Sequence, residues 1–388
     1  MTHRVRSRRI TAVALSAGLV GTAAAFASAG AATAHGRTSD TRHHSPTVIA
    51  TGLNNPRQLA FSPEGELYVA EAGTTGTSNC QTSPEFGKVC VGLTGSVARI
   101  GEKGRVNRVV TGLPSSGTAS EPIGPSDLVF TGDDEFALVI GLGGSPAYRA
   151  GFGSMGRLLG TVVKVDLEHR RHSPKVKKVF DVAGYEAKAN PDGTDIDSNG
   201  VGIARWGNGW VVADAGGNDV ISTRKGGSTV GVLAPVPTTK PVSVPGGPTL
   251  PAGFPADAVP TDVVRGPDGA WYVSLLVGFP FEKGASSIWR IVPGHAPQKW
   301  ATGLTNVTSL AFDHHGRLYA VEIAANGLLN GPTGDLVRVK PHSSTHSVVA
   351  GNLFAPYGVA IRGSSAYVTT GSSMETAPGT GQVIKIHL

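Results

Sequence analysis

Short runs of alternating apolar and polar residues, each interrupted by a turn of Gly, Pro, Asp or Ser, recur along most of the chain. The clearest is Leu59-Ala60-Phe61-Ser62-Pro63-Glu64-Gly65-Glu66-Leu67-Tyr68-Val69-Ala70-Glu71. It is matched by Ser309-Leu310-Ala311-Phe312-Asp313-His314-His315-Gly316-Arg317-Leu318-Tyr319-Ala320-Val321-Glu322. Weaker copies lie at 127–140, 200–214, 262–273 and 358–368. Each reads as strand, tight polar turn, strand. A third strand follows every copy, at 96–100, 161–167, 219–223, 287–292, 335–339 and 382–386. A fourth follows five of them, at 106–111, 176–181, 229–233, 298–302 and 347–350. The last unit lacks one, but the segment 47–53 resembles the fourth-strand endings Val110-Thr111-Gly112-Leu113 and Ala301-Thr302-Gly303-Leu304. A repeat of this kind predicts an all-β fold, a six-bladed β-propeller over residues 47–388. The N-terminal strand completes the last blade, which removes the exposed edges of an open array.

Strand direction alternates within a blade, so strand order assigns the loops to faces. First-to-second and third-to-fourth turns share one face and are short. The other face receives the long connections 72–94, 142–160, 184–199, 234–260, 277–286 and 323–334. Long loops on a rigid scaffold are where binding sites concentrate. None of the twelve histidines is expected on that face. His3 lies in the N-terminal segment, and His35, His43 and His44 lie in the stretch after it. His169, His172, His295, His314, His315, His342 and His346 fall in short turns of the opposite face, and His387 ends a strand. Histidine acid–base catalysis on the long-loop face is thus disfavoured, and with it a quinone-dependent sugar oxidoreductase.

The long-loop face carries carboxylates and amides instead. Glu71, Asp214 and Glu322 end second strands, and Asp127 and Asp262 begin first strands. Asn199, Thr308 and Tyr357 occupy the same starting position in other blades, where side chains point to the channel, and Arg57 lies beside them. Two readings stay open. A ring of oxygen ligands from Glu71, Asp127, Asp214, Asp262 and Glu322 would hold Ca²⁺ or another divalent cation. Alternatively, these carboxylates cap backbone amides or pair with Arg57 around a water-filled channel. Asp195-Ile196-Asp197-Ser198-Asn199-Gly200 matches half of an EF-hand loop, but Trp206 stands where the closing Glu belongs, so it reads as an Asp/Asn turn. Phe279 and Phe281 in Gly278-Phe279-Pro280-Phe281-Glu282-Lys283-Gly284 offer an apolar wall for a ligand, or pack over a blade edge.

Composition adds the compartment. Gly (54) and Pro (26) are abundant and charged residues are only 16%, which excludes a disordered chain and a coiled coil. The net charge of +6 owes most to Arg4, Arg6, Arg8 and Arg9, so the rest is near balance and a nucleic-acid partner is not expected. Those arginines precede an apolar small-residue stretch and Ala32-Thr33-Ala34, the pattern of a cleavable signal peptide over 1–34, with a linker over 35–46. Export predicts a secreted, extracellular protein with no membrane span after processing, expected to be a monomer. In an oxidising compartment Cys80 and Cys90, the only two cysteines, predict a local disulfide.

Several loops resemble one family. Asp197-Ser198-Asn199 with Ala213-Asp214-Ala215-Gly216-Gly217-Asn218-Asp219 is similar to the secreted propellers of the ScyD/ScyE family. So are Val259-Pro260-Thr261-Asp262, Gly266-Pro267-Asp268-Gly269, the 278–284 loop and Cys90-Val91-Gly92-Leu93-Thr94-Gly95. Gly200-Val201 departs from the Pro-Tyr expected there. The resemblance implies an exported six-bladed propeller and no particular reaction. The residues point first to a non-catalytic binding protein whose long-loop face takes a small molecule, glycan or protein, with Arg57, Asp127, Asn199, Asp262, Thr308, Tyr357, Phe279 and Phe281 as candidate contacts. The alternative is a metal-dependent, lactonase-like hydrolase with a channel cation and Asp127 or Asp262 as base.

Overall fold

The structure is a computed structural model that describes residues 45–83, 87–118, 120–168, 173–372 and 377–388. The expected signal segment 1–34 and most of the linker 35–46 lie outside the described residues. The fold is all-β and propeller-like, built from antiparallel sheets that follow one another along the chain. The first sheet runs Pro56–Phe61, Leu67–Glu71, Gly87–Ile100 and Val106–Gly117, with Ser78–Ser83 and Pro122–Ile123 added beside it. The second runs Pro125–Phe130, Glu135–Ile140, Thr161–Asp166 and Lys175–Asp181. The third runs Gly200–Trp206, Gly209–Asp214, Asp219–Ser222 and Ser228–Val232. The fourth is Pro260–Arg265, Trp271–Leu275, Ser286–Ile291 and Gln298–Leu304, and the fifth Val307–Phe312, Leu318–Glu322, Thr333–Arg338 and Ser347–Phe354. In the last, Val359–Arg362, Ser365–Thr370 and Gly381–His387 are joined by Thr47–Leu53, whose Thr47 faces Lys385 and whose Leu53 faces Gly381.

Second strands are apolar on both sides because both sides are covered. Leu67–Glu71, Trp271–Leu275 and Leu318–Glu322 are buried throughout, whereas the outer strand Lys175–Asp181 exposes its lysines. The core lies between neighbouring sheets. Tyr68 and Val97 of the first pack on Leu128, Phe136 and Leu138 of the second. Ala137 and Val139 meet Ile203 and Val212 of the third. Val211 and Val220 meet Val263 and Trp271, and Tyr272 meets Leu310 and Leu318. Tyr319 and Val321 meet Val359 and Val368, and Val383 and Leu53 return to Leu59 and Val69 of the first sheet.

First strands stand side by side around a common axis, and their backbones pass very close. A Cβ on Gly202 would lie 2.7 Å from the Cα of Asp262, and one on Gly358 would lie 2.6 Å from the carbonyl oxygen of Arg57. Only glycine permits that approach. The register between first and second strands also slips near the start of five first strands, between Pro56 and Leu59, Pro125 and Asp127, Gly200 and Gly202, Pro260 and Asp262, and Val307 and Ser309, whereas Val359–Arg362 pairs with Ser365–Thr370 without a slip. An extra residue of this kind re-aims the chain. Here it turns Ser126, Val201, Thr261 and Thr308 away from the sheet ladder.

The long connections hold structure that the sequence pattern does not predict. Within the 72–94 connection Ser78–Ser83 pairs antiparallel with the start of Gly87–Ile100, and the expected Cys80–Cys90 disulfide joins the two. The 142–160 connection contains a helix, Pro146–Gly151, capped by Ser145, whose Oγ accepts from Tyr148 N. Val182–Ala189 is a helix where a loop is expected, and the side chain of Asp181 caps it by accepting from Gly184 N. Among the described residues no helix is long and apolar enough to cross a membrane.

Candidate functional site

The slipped first-strand residues stitch one sheet to the next. Ser126 Oγ donates to Val201 O at 2.8 Å, Thr261 Oγ1 to Val307 O at 2.7 Å, and Thr308 Oγ1 to Tyr357 O at 2.7 Å. In the first sheet Arg57 takes this part, its Nη2 donating to Pro122 O at 2.6 Å. The backbone of Arg57 is held in turn by Thr369, whose Oγ1 donates to Arg57 O at 2.8 Å. The guanidinium therefore stands at the long-loop end of the axis, 4.7 Å from the centre of the Tyr357 ring. Burial lowers the pKa of Arg57 from its ordinary value, and Tyr357 and Glu121 oppose that shift. Burial raises the pKa of the Tyr357 hydroxyl, so that it remains a neutral phenol.

Above this pair opens a cavity of about 220 Å³. Arg57, Glu121, Ser126, Asn199 and Tyr357 supply its polar lining, and Pro122, Ile123, Val201, Leu276, Ile323 and Leu328 its apolar lining. Asn199 is oriented by Leu142 N, which donates to its Oδ1 at 3.1 Å, and by its own N–H, which donates to Asp214 Oδ1 at 2.5 Å. The arrangement is a compact pocket with one cation, one acid and several hydroxyl and amide groups against apolar walls, suited to a small ligand with a polar head. None of the described histidines lines it.

Of the expected contacts, Arg57, Asn199 and Tyr357 converge on this cavity. Asp127, Asp262 and Thr308 do not line it; they lie along the axis and hold sheets together. Asp127 accepts from Leu128 N and Ile203 N, both at 2.7 Å. Asp262 accepts from Val263 N at 2.7 Å and Leu310 N at 2.8 Å. Each acid thus ties its own strand to the following first strand. Burial pushes the carboxyl pKa of both upward; the charge of Asp262 adds to the rise at Asp127, and the backbone donors oppose both shifts. Gln58 and Ser309 fill the axis beside them, with Ser309 Oγ donating to Gln58 Oε1 at 2.7 Å.

The expected ring of metal ligands is not assembled. Among the described residues no three His, Cys, Asp or Glu side chains gather as a metal site. Glu71, Asp214 and Glu322 turn instead to the connections that precede first strands. Glu71 accepts from Asn54 N at 2.7 Å and pairs with Arg108 at 2.8 Å. Asp214 accepts from Asn199 N and from Ser198 Oγ at 2.7 Å, and Glu322 accepts from Thr305 N at 2.7 Å. Buried backbone donors must find acceptors, and these acids supply them.

Phe279 and Phe281 also lie away from the cavity. Phe279 is exposed and stands edge-on to both Phe254 and Phe281, with ring centres 6.2 Å apart in each of these two pairs. Sequence reasoning missed Glu121, Ile123, Ser126, Leu276, Ile323 and Leu328. For Ser126 a signal exists: Ser126-Asp127, Thr261-Asp262 and Thr308-Ser309 are one recurring small-hydroxyl dipeptide. The others come from connections that carry no repeat.

No family model matches the chain, and no curated protein matches it. Solved structures do. One is the PQQ-bound form of an aldose sugar dehydrogenase from Streptomyces coelicolor, 12% identical, with a TM-score of 0.50 over 88% of this chain and 96% of that one. Another is a glucose dehydrogenase, 13% identical, with a TM-score of 0.52 over 89% of this chain and 100% of that one. At such identities the likeness concerns the fold, which is all-β and propeller-like.

Proposed function

We propose that this chain is an exported six-bladed β-propeller of the ScyD/ScyE type, closed by its N-terminal strand, that binds a small molecule without transforming it. The pairing of Thr47–Leu53 with Gly381–His387 and the run of core contacts back to the first sheet support the blade count and the closure. The disulfide fits an oxidising compartment. The observation that carries the binding role is the cavity over Arg57 and Tyr357, with Asn199 on its wall. Arg57, with Glu121 beside it at the base of a mostly apolar pocket, favours a small ligand with an electron-rich polar head. The volume suits a small molecule better than a glycan chain or a protein segment.

The test is a thermal-shift panel of small carboxylates, sugar acids and lactones on the mature chain. At least one ligand is expected to raise the unfolding midpoint. Arg57→Met should weaken that ligand about ten- to a hundredfold, the worth of a charge-assisted hydrogen bond. Tyr357→Phe keeps the ring under Arg57 and should weaken it less. Equal affinity in wild type and both variants would move the site elsewhere. Metal-dependent turnover of a lactone, lost in Asp127→Asn or Asp262→Asn, would favour the hydrolase reading instead.

A further inference from the structure

A second group of acids lies on the same face, outside the cavity. Helix Val182–Ala189 presents Glu186 to the start of strand Asp219–Ser222. Glu186 and Asp219 are both 0% exposed. All four of their carboxylate oxygens are buried and accept no hydrogen bond. Both flank the same glycine: a Cβ on Gly217 would stand 2.9 Å from Glu186 Oε2 and 3.5 Å from Asp219 Oδ1. Their neighbour Asp214 differs sharply, since Ser198 Oγ and the N–H groups of Asn199, Gly216 and Gly217 all donate to it. Glu71 has Arg108, and Glu322 has Thr305 N. Burying a carboxylate without a donor or a countercharge is among the costliest arrangements a protein can hold. Burial, then the charges of Asp214, Asp192 and other carboxylates, raises the pKa of both acids, and no cationic side chain is among the charges acting on them.

We propose that Glu186 and Asp219 hold one divalent, oxygen-seeking cation, with Ca²⁺ the best fit. Asn190, which caps the C-terminus of the same helix and whose buried Oδ1 accepts no hydrogen bond, would supply the next oxygen. Asp192 stands beside it, tied to the third sheet by Asn218 Nδ2 at 3.1 Å. The donors are all oxygens, from carboxylates and an amide, carried by the helix, its C-cap and the start of a strand. Ca²⁺ accepts such flexible, mixed sets and completes them with backbone oxygens and water, whereas Mg²⁺ demands a stricter octahedron. The ion would fasten the 190–199 connection, which carries Asn199 to the cavity, onto the third sheet. The site shares no residue with the cavity, so it stands or falls apart from the ligand read there.

The experiment is calcium titration of the chelator-stripped mature chain, by isothermal titration and by thermal unfolding. One Ca²⁺ per chain is expected, with a rise in midpoint that Mg²⁺ at equal concentration reproduces only in small part. Glu186→Gln with Asp219→Asn should abolish uptake. Without calcium this double variant should unfold no lower than the stripped wild type, because it removes the uncompensated charges; that separates loss of the site from loss of the fold. No uptake by wild type at millimolar Ca²⁺ would overturn the proposal, leaving the pair neutralised by protons. So would uptake that survives in the double variant, or uptake lost only in Asp127→Asn with Asp262→Asn, which would place the ion on the axis.

Discussion

Glu322 shows how single residues here trade charge for architecture. Its carboxylate satisfies Thr305 N, yet burial, with the charge of Asp335, pushes its pKa up to about 7 from an ordinary 4.5. The folded state therefore holds a proton that the unfolded chain releases at lower pH. Its contribution to stability is complete below the unfolded value and is lost as pH rises through the folded one. Asp127 and Asp262 act in the same sense, with pKa values raised by burial. Asp313 and Asp268 act oppositely, since their hydrogen bonds, led by those to Arg317 and Arg290, lower their pKa values and favour the folded state once pH exceeds the ordinary carboxylate range. The chain should thus unfold at a higher temperature near about pH 5 than near about pH 7.5. Glu322→Gln keeps an acceptor for Thr305 N and should flatten part of that fall, as calorimetry across the range would show. A stability that rises steadily toward neutral pH in both proteins would refute the assignment.

At the scale of elements, the first strands do most to position the site. Five of the six start with a register slip, and Ser126, Thr261, Thr308 and Arg57 reach from there to the neighbouring first strand or to the connection just before it. Glycine at 202 and 358 lets these strands approach within backbone contact. Gly202→Ala should force the third and fourth sheets apart at the axis and cost about 1–3 kcal/mol, the usual price of overpacking. A surface control, Gly207→Ala, faces open space and should cost less, although its φ of +61° carries a strain of its own. A Gly202→Ala protein with an unchanged denaturation midpoint would show that the axis is looser than the structure indicates.

Over the whole molecule, the strand Thr47–Leu53 occupies the outer edge of the last sheet and packs Leu53 against Leu59 and Val69 of the first. A chain beginning after Leu53 leaves that sheet edge bare and a core seam open. It should lose its cooperative transition and aggregate at micromolar concentration, by light scattering and calorimetry. A folded monomer with the parent's midpoint would contradict the proposed closure. The repeated strand pattern was legible because alternation, polar turns and second-strand burial are local signals, repeated in every unit. The cavity was legible only in part. Arg57, Asn199 and Tyr357 occupy repeat positions, whereas Glu121, Leu276 and Leu328 reach it from connections with no repeat to compare. The carboxylates misled as a metal ring because residue type alone does not distinguish an acid facing a cation from one facing a backbone N–H. The helix Val182–Ala189 was hidden for a related reason: two turns of mixed residues, fixed by the cap at Asp181 and by packing, leave little periodicity to read.

The Arg57–Tyr357 cavity is the proposed place where this protein meets its ligand. Crystals of the protein soaked with small carboxylated and polyhydroxylated fragments give the sharpest test. Fragment density is expected in that cavity, with a polar head toward Arg57 and contacts to Asn199 or Tyr357. A cavity that stays unfilled while the same fragments collect elsewhere, for example on the Phe254–Phe279–Phe281 trio, would contradict it and shift the binding role to the outer loops.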